Sequence, residues 1–416
     1  MKIDRQLLIL LSLYIAQGLP FGFFTQAMPA IMRDSGVGLK YIGLMSLLAL
    51  PWALKFLWAP LLDRYPFMGL PLRKGWILLA NALAVLSIFI FSFESVEWWL
   101  NGGIVFTLLI LLSLNVFAAS QDISTDALAI ETVPADKRGW INGIQVSGYR
   151  IGMVIGGGLI LAWLPLFGWQ YAMYLMAGIL LLTSLPILFA SNENLLVKSP
   201  NEHDQQEVKT VGRETVFESW RGLFNRKGIW IWVGLLLTYK AGDAFGTAML
   251  KPMMVDAGFG LTDLALIMGT YGVIAGLVGA IVGAVLIKPL GRMNALIIFA
   301  GLQSFSLALY GLYSLGTYST DVLIGICMLE HVTGAMATIG IFTIMMDYCR
   351  STHAGLDYSF QSCLIIVSGL IVGSLSGFSA SELGYAVHFL MASGLTVLGL
   401  LWVLWQRKAI SAVSAV

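Results

Sequence analysis

The 416-residue chain is 58% hydrophobic and only 11% charged, with a mean hydropathy of +0.83. Soluble domains are about half apolar and a quarter charged, so this composition excludes one and requires a membrane. The net charge of +1 carries no signal for nucleic acid or another acidic partner.

A helix needs about 20 mostly apolar residues to cross about 30 Å of hydrocarbon. Stretches of that kind recur along the whole chain and predict twelve spans: 6–32, 41–62, 75–93, 104–128, 140–163, 169–190, 229–250, 263–287, 294–315, 321–347, 356–379 and 385–405. Short strands of alternating polarity are absent, which argues against a β-barrel.

The first span follows a basic start but contains Gln17, Pro20, Thr25 and Gln26 and no small-residue cleavage site, so a retained helix is expected. The second, LALPWALKFLWAPLLDRY, carries Lys55 among aromatic residues before Asp63 and Arg64. Lys55 lies eight residues before Asp63, roughly 12 Å along a helix. An ionisable group at the bilayer centre costs on the order of 2.5–3.5 kcal/mol even on the lenient insertion scale, so each one needs a partner, water or a function. Span four answers with Asp122 and Asp126, at i and i+4 on one face. Span five contributes Arg150. We expect Lys55 and Arg150 to face the two aspartates, either as a structural network or as a coupling device. Glycines 148, 152, 156, 157 and 158 give span five a face for close helix contact rather than a phosphate loop.

Residues 191–228 form the only long polar segment, a solvated linker in which VFESWRGLF has the pattern of a short amphipathic surface helix. Span seven carries Lys240 and Asp243, three apart and able to neutralise each other. Glu330, with no obvious partner in the sequence, and His331 fall mid-way along span ten; the first suits a proton site and the second a packing role. Cys327, Cys349 and Cys363 lack metal or redox spacing and read as buried apolar fillers. Trp98, Trp99, Trp163 and Trp169 suit an outer interfacial belt.

Alternating the loops puts eighteen of the 24 Lys and Arg on the side of both termini, among them Arg73, Lys74, Arg138, Arg292 and Lys408, and leaves only Arg33, Lys40 and Lys251 opposite. Both termini are therefore expected in the cytoplasm. The halves also echo each other: GLPFG (18–22) returns as GDAFG (242–246), GVGLKYIGL (36–44) as GFGLTDLAL (258–266), and APLLDRY lies opposite GAVLIKPLGR. The organisation expected is an all-α membrane protein with a six-helix bundle over 1–190, a linker over 191–228 and a second, pseudo-symmetric bundle over 229–416. Duplicated halves around charged interiors suit a transporter that alternates access, better than a receptor or scaffold that moves nothing. No G-x-S-x-G elbow, H-E-x-x-H or Walker loop supports an enzyme.

Ala59-Pro-Leu-Leu-Asp63-Arg64 followed by Arg73-Lys74 resembles the cytoplasmic loop between helices two and three of the major facilitator superfamily, with Ala for the first Gly and an insertion before the basic pair. The resemblance implies a gating role for Asp63 and Arg64, with the acid near the positive N-terminus of a neighbouring helix. The second copy has Ile287 where the acid would stand. More narrowly, KFLWAPLLDRY, SQDISTDA, DKRGWINGIQVSGYRIGM and YKAGDAFG resemble the branch that holds the AmpG muropeptide permeases and the RhtX/FptX siderophore importers. The text IAQGLPFGFFTQAMPA and the count of twelve spans are more similar to the siderophore members. That implies a proton-coupled inner-membrane importer of a siderophore or its ferric complex, acting as a monomer, with no cofactor and no metal site of its own; the alternative is an importer of anhydro-muropeptides. Gln17, Thr25, Gln26, Lys55, Asp122, Asp126, Arg150, Lys240, Asp243 and Glu330 are the substrate and coupling candidates.

Overall fold

The computed structural model describes residues 2–34, 36, 48–67, 69–95, 98, 103–191, 215–316 and 319–407. Loop 37–44 with Lys40, residues 41–47 of the second expected span, Trp99, linker residues 192–214 and Lys408 lie outside the described residues. Among the described residues there are helices and turns but no strand.

Nine helices among them are long and apolar enough to cross a membrane. Expected spans one, three to six and eight to ten each fall on one of these. Spans eleven and twelve run through Ala354–Trp405, interrupted at Gly384, whose φ of 76° and ψ of 164° no helix accommodates.

Expected spans two and seven differ from the reading as single helices, for local reasons. Span two is Leu50–Leu54, a 3-10 turn Lys55–Leu57, and Ala59–Arg64. Pro60 has no N–H to give to Phe56 and its ring crowds that carbonyl, so the α-helix yields at the turn that begins with Lys55. Span seven divides into Ile229–Tyr239, Ala241–Thr247 and Leu250–Asp256, with Lys240 at the first break. Both intramembrane lysines thus stand where a helix is interrupted.

Packing groups the chain into two units, one of 1–133, 147–219 and 350–360, the other of 134–146, 220–349 and 361–416. In the first unit a core built on Leu19, Phe23, Leu111, Met173 and Met176 is fully enclosed. The helix Lys2–Gly22 meets Arg138–Val154 backbone to backbone: a Cβ on Gly18 would strike the Tyr149 carbonyl, and one on Gly152 the Ile15 carbonyl. Directly after this contact both chains widen into π-helical turns, Phe23–Ala27 and Ile155–Leu159. Such turns carry an extra residue and mark places where a helix departs from regular packing.

The second unit has its own core around Leu250, Met254, Tyr310, Leu323 and Phe389. The linker segment VFESWRGLF is a helix, Val216–Phe224. Its start is a capping box in which the Glu218 N–H donates to Thr215 Oγ1 (3.2 Å) and the Thr215 N–H donates to Glu218 Oε2 (2.5 Å). Phe217 is 75% exposed on one side while Leu223 is buried on the other.

Candidate functional site

In the first unit the helix Ile104–Thr132 buries Asn115, Gln121, Asp122, Ser124, Thr125 and Asp126 in an otherwise apolar segment. Lys55 Nζ forms an ion pair with Asp122 Oδ2, and both side chains are sealed, 4% and 8% exposed. Asp126, one turn further on, accepts a hydrogen bond from the Tyr14 hydroxyl (3.2 Å). Two indoles tie the broken second segment to the same helix: Trp52 Nε1 donates to Asn115 Oδ1 (3.2 Å) and Trp58 Nε1 to Ser120 Oγ (3.0 Å). Trp52 also meets Phe21 and Tyr149, with ring centroids 6.0 and 6.5 Å away.

Of the expected quartet, Lys55 and Asp122 come together, and Tyr14, which the sequence reading passed over, holds Asp126. Tyr14 was within reach of that reading, since it lies three residues before Gln17 and so on the same helical face. Gln17 is buried, and its Nε2 has no hydrogen-bond partner among the described residues. Arg150 is half-buried. Thr25 and Gln26 are exposed on the π-turn, where the Gln26 side chain lies against Gly157.

In the second unit Lys240 Nζ lies 2.8 Å from Asp243 Oδ2, 3.3 Å from Gln303 Oε1 and 3.4 Å from the Gly334 carbonyl. Gln303 Nε2 donates to Asp243 Oδ1, so one amide serves both charges. The expectation that Glu330 lacks a partner is corrected: Glu330 Oε2 lies 3.0 Å from His331 Nδ1, which is also 2.9 Å from the Cys327 carbonyl. A donor on Nδ1 serves both acceptors, which gives His331 a polar role beside its packing one. Gly334 is the small residue at the centre of this cluster. A Cβ there would come within 3.1 Å of Glu330 Oε1 and 3.2 Å of Gln303 Nε2. Gln303, isolated in the run FAGLQSFSLALY, was the unused signal.

At the end of the first unit that carries the basic loops, Asp63 Oδ1 lies 2.7 Å from Arg73, and Arg73 reaches Glu131 Oε1 at 2.5 Å. The Asp63 oxygens accept the N–H groups of Gly355 (3.1 Å) and Leu356 (2.8 Å), at the start of Ala354–Trp405. A carboxylate there satisfies orphan donors and complements the helix dipole. Arg64 lies over the Tyr65 ring. The second unit repeats part of this plan: Asp347 pairs with Arg138 (2.8 Å) and Arg292 (2.6 Å), while Ile287 packs against Gly139. An apolar side chain there touches a glycine, as Asp63 touches Gly355. No cluster of three or more His, Cys, Asp or Glu among the described residues is placed to hold a metal ion.

A multi-pass membrane protein whose described residues are all helix and turn, with ion pairs at helix breaks inside the spans, has the features of a transporter. The Major Facilitator Superfamily model matches residues 10–361. The anhydromuropeptide permease of Escherichia coli strain K12 is 31% identical over 411 residues, covering 97% of this chain and 80% of the permease. Among solved structures, the proton:xylose symporter XylE bound to 6-bromo-6-deoxy-D-glucose aligns with a TM-score of 0.75 at 13% identity, over 98% of this chain and 96% of that one. A bacterial homologue of the iron transporter ferroportin in an outward-facing state aligns with a TM-score of 0.70 at 17% identity, over 97% and 99%. At those identities the two structures speak for the fold alone. The chain belongs to the Major Facilitator Superfamily.

Proposed function

We propose that the chain is a monomeric secondary transporter of the bacterial inner membrane, importing an anhydromuropeptide-type substrate in symport with protons. The observation that carries this reading is its 31% identity, along 97% of its length, to a protein named for that substrate. The siderophore reading suggested by the first helix gives way to the muropeptide alternative on the same ground. The working organisation is two six-helix halves, 1–190 and 229–416, joined by a cytoplasmic linker over 191–228, with both termini on that side. Asp63 and Arg64 would act at the inner gate, and the intramembrane charges on substrate and protons. Supporting it are an interior in which one helix carries both the Asn115 partner of Trp52 and the Asp122 partner of Lys55, and the break in each lysine-bearing segment.

The test is uptake of labelled anhydro-muropeptide by cells without a permease of their own that express this chain. A parallel arm measures growth on one ferric siderophore as sole iron source. Accumulation abolished by a protonophore is expected in the first arm and no rescue in the second. Rescue in the second arm without uptake in the first would transfer the assignment to siderophores.

A further inference from the structure

Among the described residues two lysine–aspartate pairs lie within the spans, and they differ in access. The Lys55 and Asp122 side chains are 4% and 8% exposed, whereas those of Lys240 and Asp243 are 14% and 19% exposed. The open pair is also the loosely held one. Beyond Asp243, the Lys240 ammonium has two long contacts among the described residues, to Gln303 and the Gly334 carbonyl, and it stands at the turn between two helices. Charged groups exposed within a span face water or a cavity, not lipid.

We infer that Lys240 and Asp243 form an exchange site, in which a carboxylate of the substrate replaces Asp243 as the counter-ion of Lys240. This rests on the reading given under Proposed function, since a muropeptide ends in a peptide carboxylate. Charge balance fixes the stoichiometry. The resting pair is neutral, and a seated carboxylate would leave one uncompensated negative charge, which a partly desolvated cavity within the span penalises. One proton taken from the aqueous phase onto Asp243 Oδ2, the oxygen facing Lys240, restores neutrality: an O–H bond forms there, hydronium gives up its proton, and Lys240 stays an ammonium throughout. Gln303 Nε2 donates to the other oxygen, Oδ1, and holds the acid in place in either state. Each carboxylate that binds here therefore enters with one proton.

The other titratable groups around the pair come from four elements. Tyr239 precedes Lys240 and donates to the Leu296 carbonyl (2.9 Å). Tyr310 has Asp243, Glu330 and Cys327 as electrostatic neighbours, and Glu330 pairs with His331. His388 stacks on Phe245, with ring centroids 4.5 Å apart. None of them supplies a second cation to Asp243 among the described ion pairs, which leaves Lys240 as the charge that a substrate carboxylate competes for.

The experiment uses vesicles carrying the full chain, labelled anhydro-muropeptide and its carboxyl-amidated form. In Asp243→Asn, accumulation driven by an imposed proton gradient is expected to fall to the equilibrium level, while exchange of internal for external substrate continues. In Lys240→Gln, the apparent affinity for the carboxylate form is expected to fall by about tenfold or more while that for the amidated form changes little, as for loss of one partner of a desolvated charge pair. Elution as a monodisperse species and an unchanged melting temperature for each variant in detergent control for folding. Gradient-driven accumulation by D243N, or equal losses for both substrate forms in K240Q, would overturn the exchange site. Failure of the unsubstituted chain to take up either form would instead remove the function on which it rests.

Discussion

Substituting Lys55 by Met tests whether the sealed ion pair of the first unit is a real constraint. Lys55 and Asp122 are 3% and 6% exposed as whole residues, so removing the ammonium leaves a carboxylate with little water to replace it. Breaking a buried pair from one side costs about 3–5 kcal/mol, whereas replacing both partners by apolar residues of similar size is about neutral or stabilising by 1–4 kcal/mol. K55M is therefore expected to lose about 3–5 kcal/mol, and the double variant K55M/D122L to recover most of it. The folded fraction would move by roughly two to three and a half decades and back, at about 1.4 kcal/mol per decade. Equilibrium unfolding of the purified protein in mixed detergent micelles, carried through all four corners of the cycle, reads the coupling directly. Additive losses, with the double variant as unstable as the sum of the singles, would refute the reasoning: Lys55 and Asp122 would then be stabilised by other neighbours.

Asp63→Ala removes the acceptor for the Gly355 and Leu356 N–H groups, and a helix-terminal charge contact in a partly buried site is worth up to about 2 kcal/mol, or about 30-fold in population. Thiol labelling of a cysteine placed at Phe360, whose ring lies 6.3 Å from that of Phe56, should accelerate accordingly, and an unchanged rate would exclude the tie as a lock. Gly156→Val is expected to abolish monodisperse expression because its Cβ overlaps the Leu19 carbonyl, while Gly158→Val, with nothing within 4 Å, should be tolerated. Gly334→Ala should cut gradient-driven uptake with thermal stability nearly intact, since the new methyl meets Glu330 Oε1 and Gln303 Nε2 at 3.1 and 3.2 Å; full uptake would mean that this cluster does not have to rearrange.

Composition, run length and the absence of alternating strands establish an all-helical membrane protein, because hydrocarbon admits only helices and closed barrels. The same cost argument picked out the intramembrane charges, since each is expensive whatever the fold. Asp122 and Lys55 were paired by depth along their helices, and Lys240 with Asp243 by helical spacing. What neighbouring helices supply could not be read from one segment at a time. Tyr14 as the partner of Asp126, Gln303 bridging Lys240 and Asp243, and the Asp347 pairing with Arg138 and Arg292 all join residues far apart in the chain. Hydropathy also cannot register where a helix breaks: Lys55 and Lys240 sit in apolar runs as smooth as any other, yet Pro60 opens the first, and a break at Lys240 opens the second. Periodicity therefore sets which residues must leave lipid, and three-dimensional packing decides which partner each one finds and how much water stays beside it.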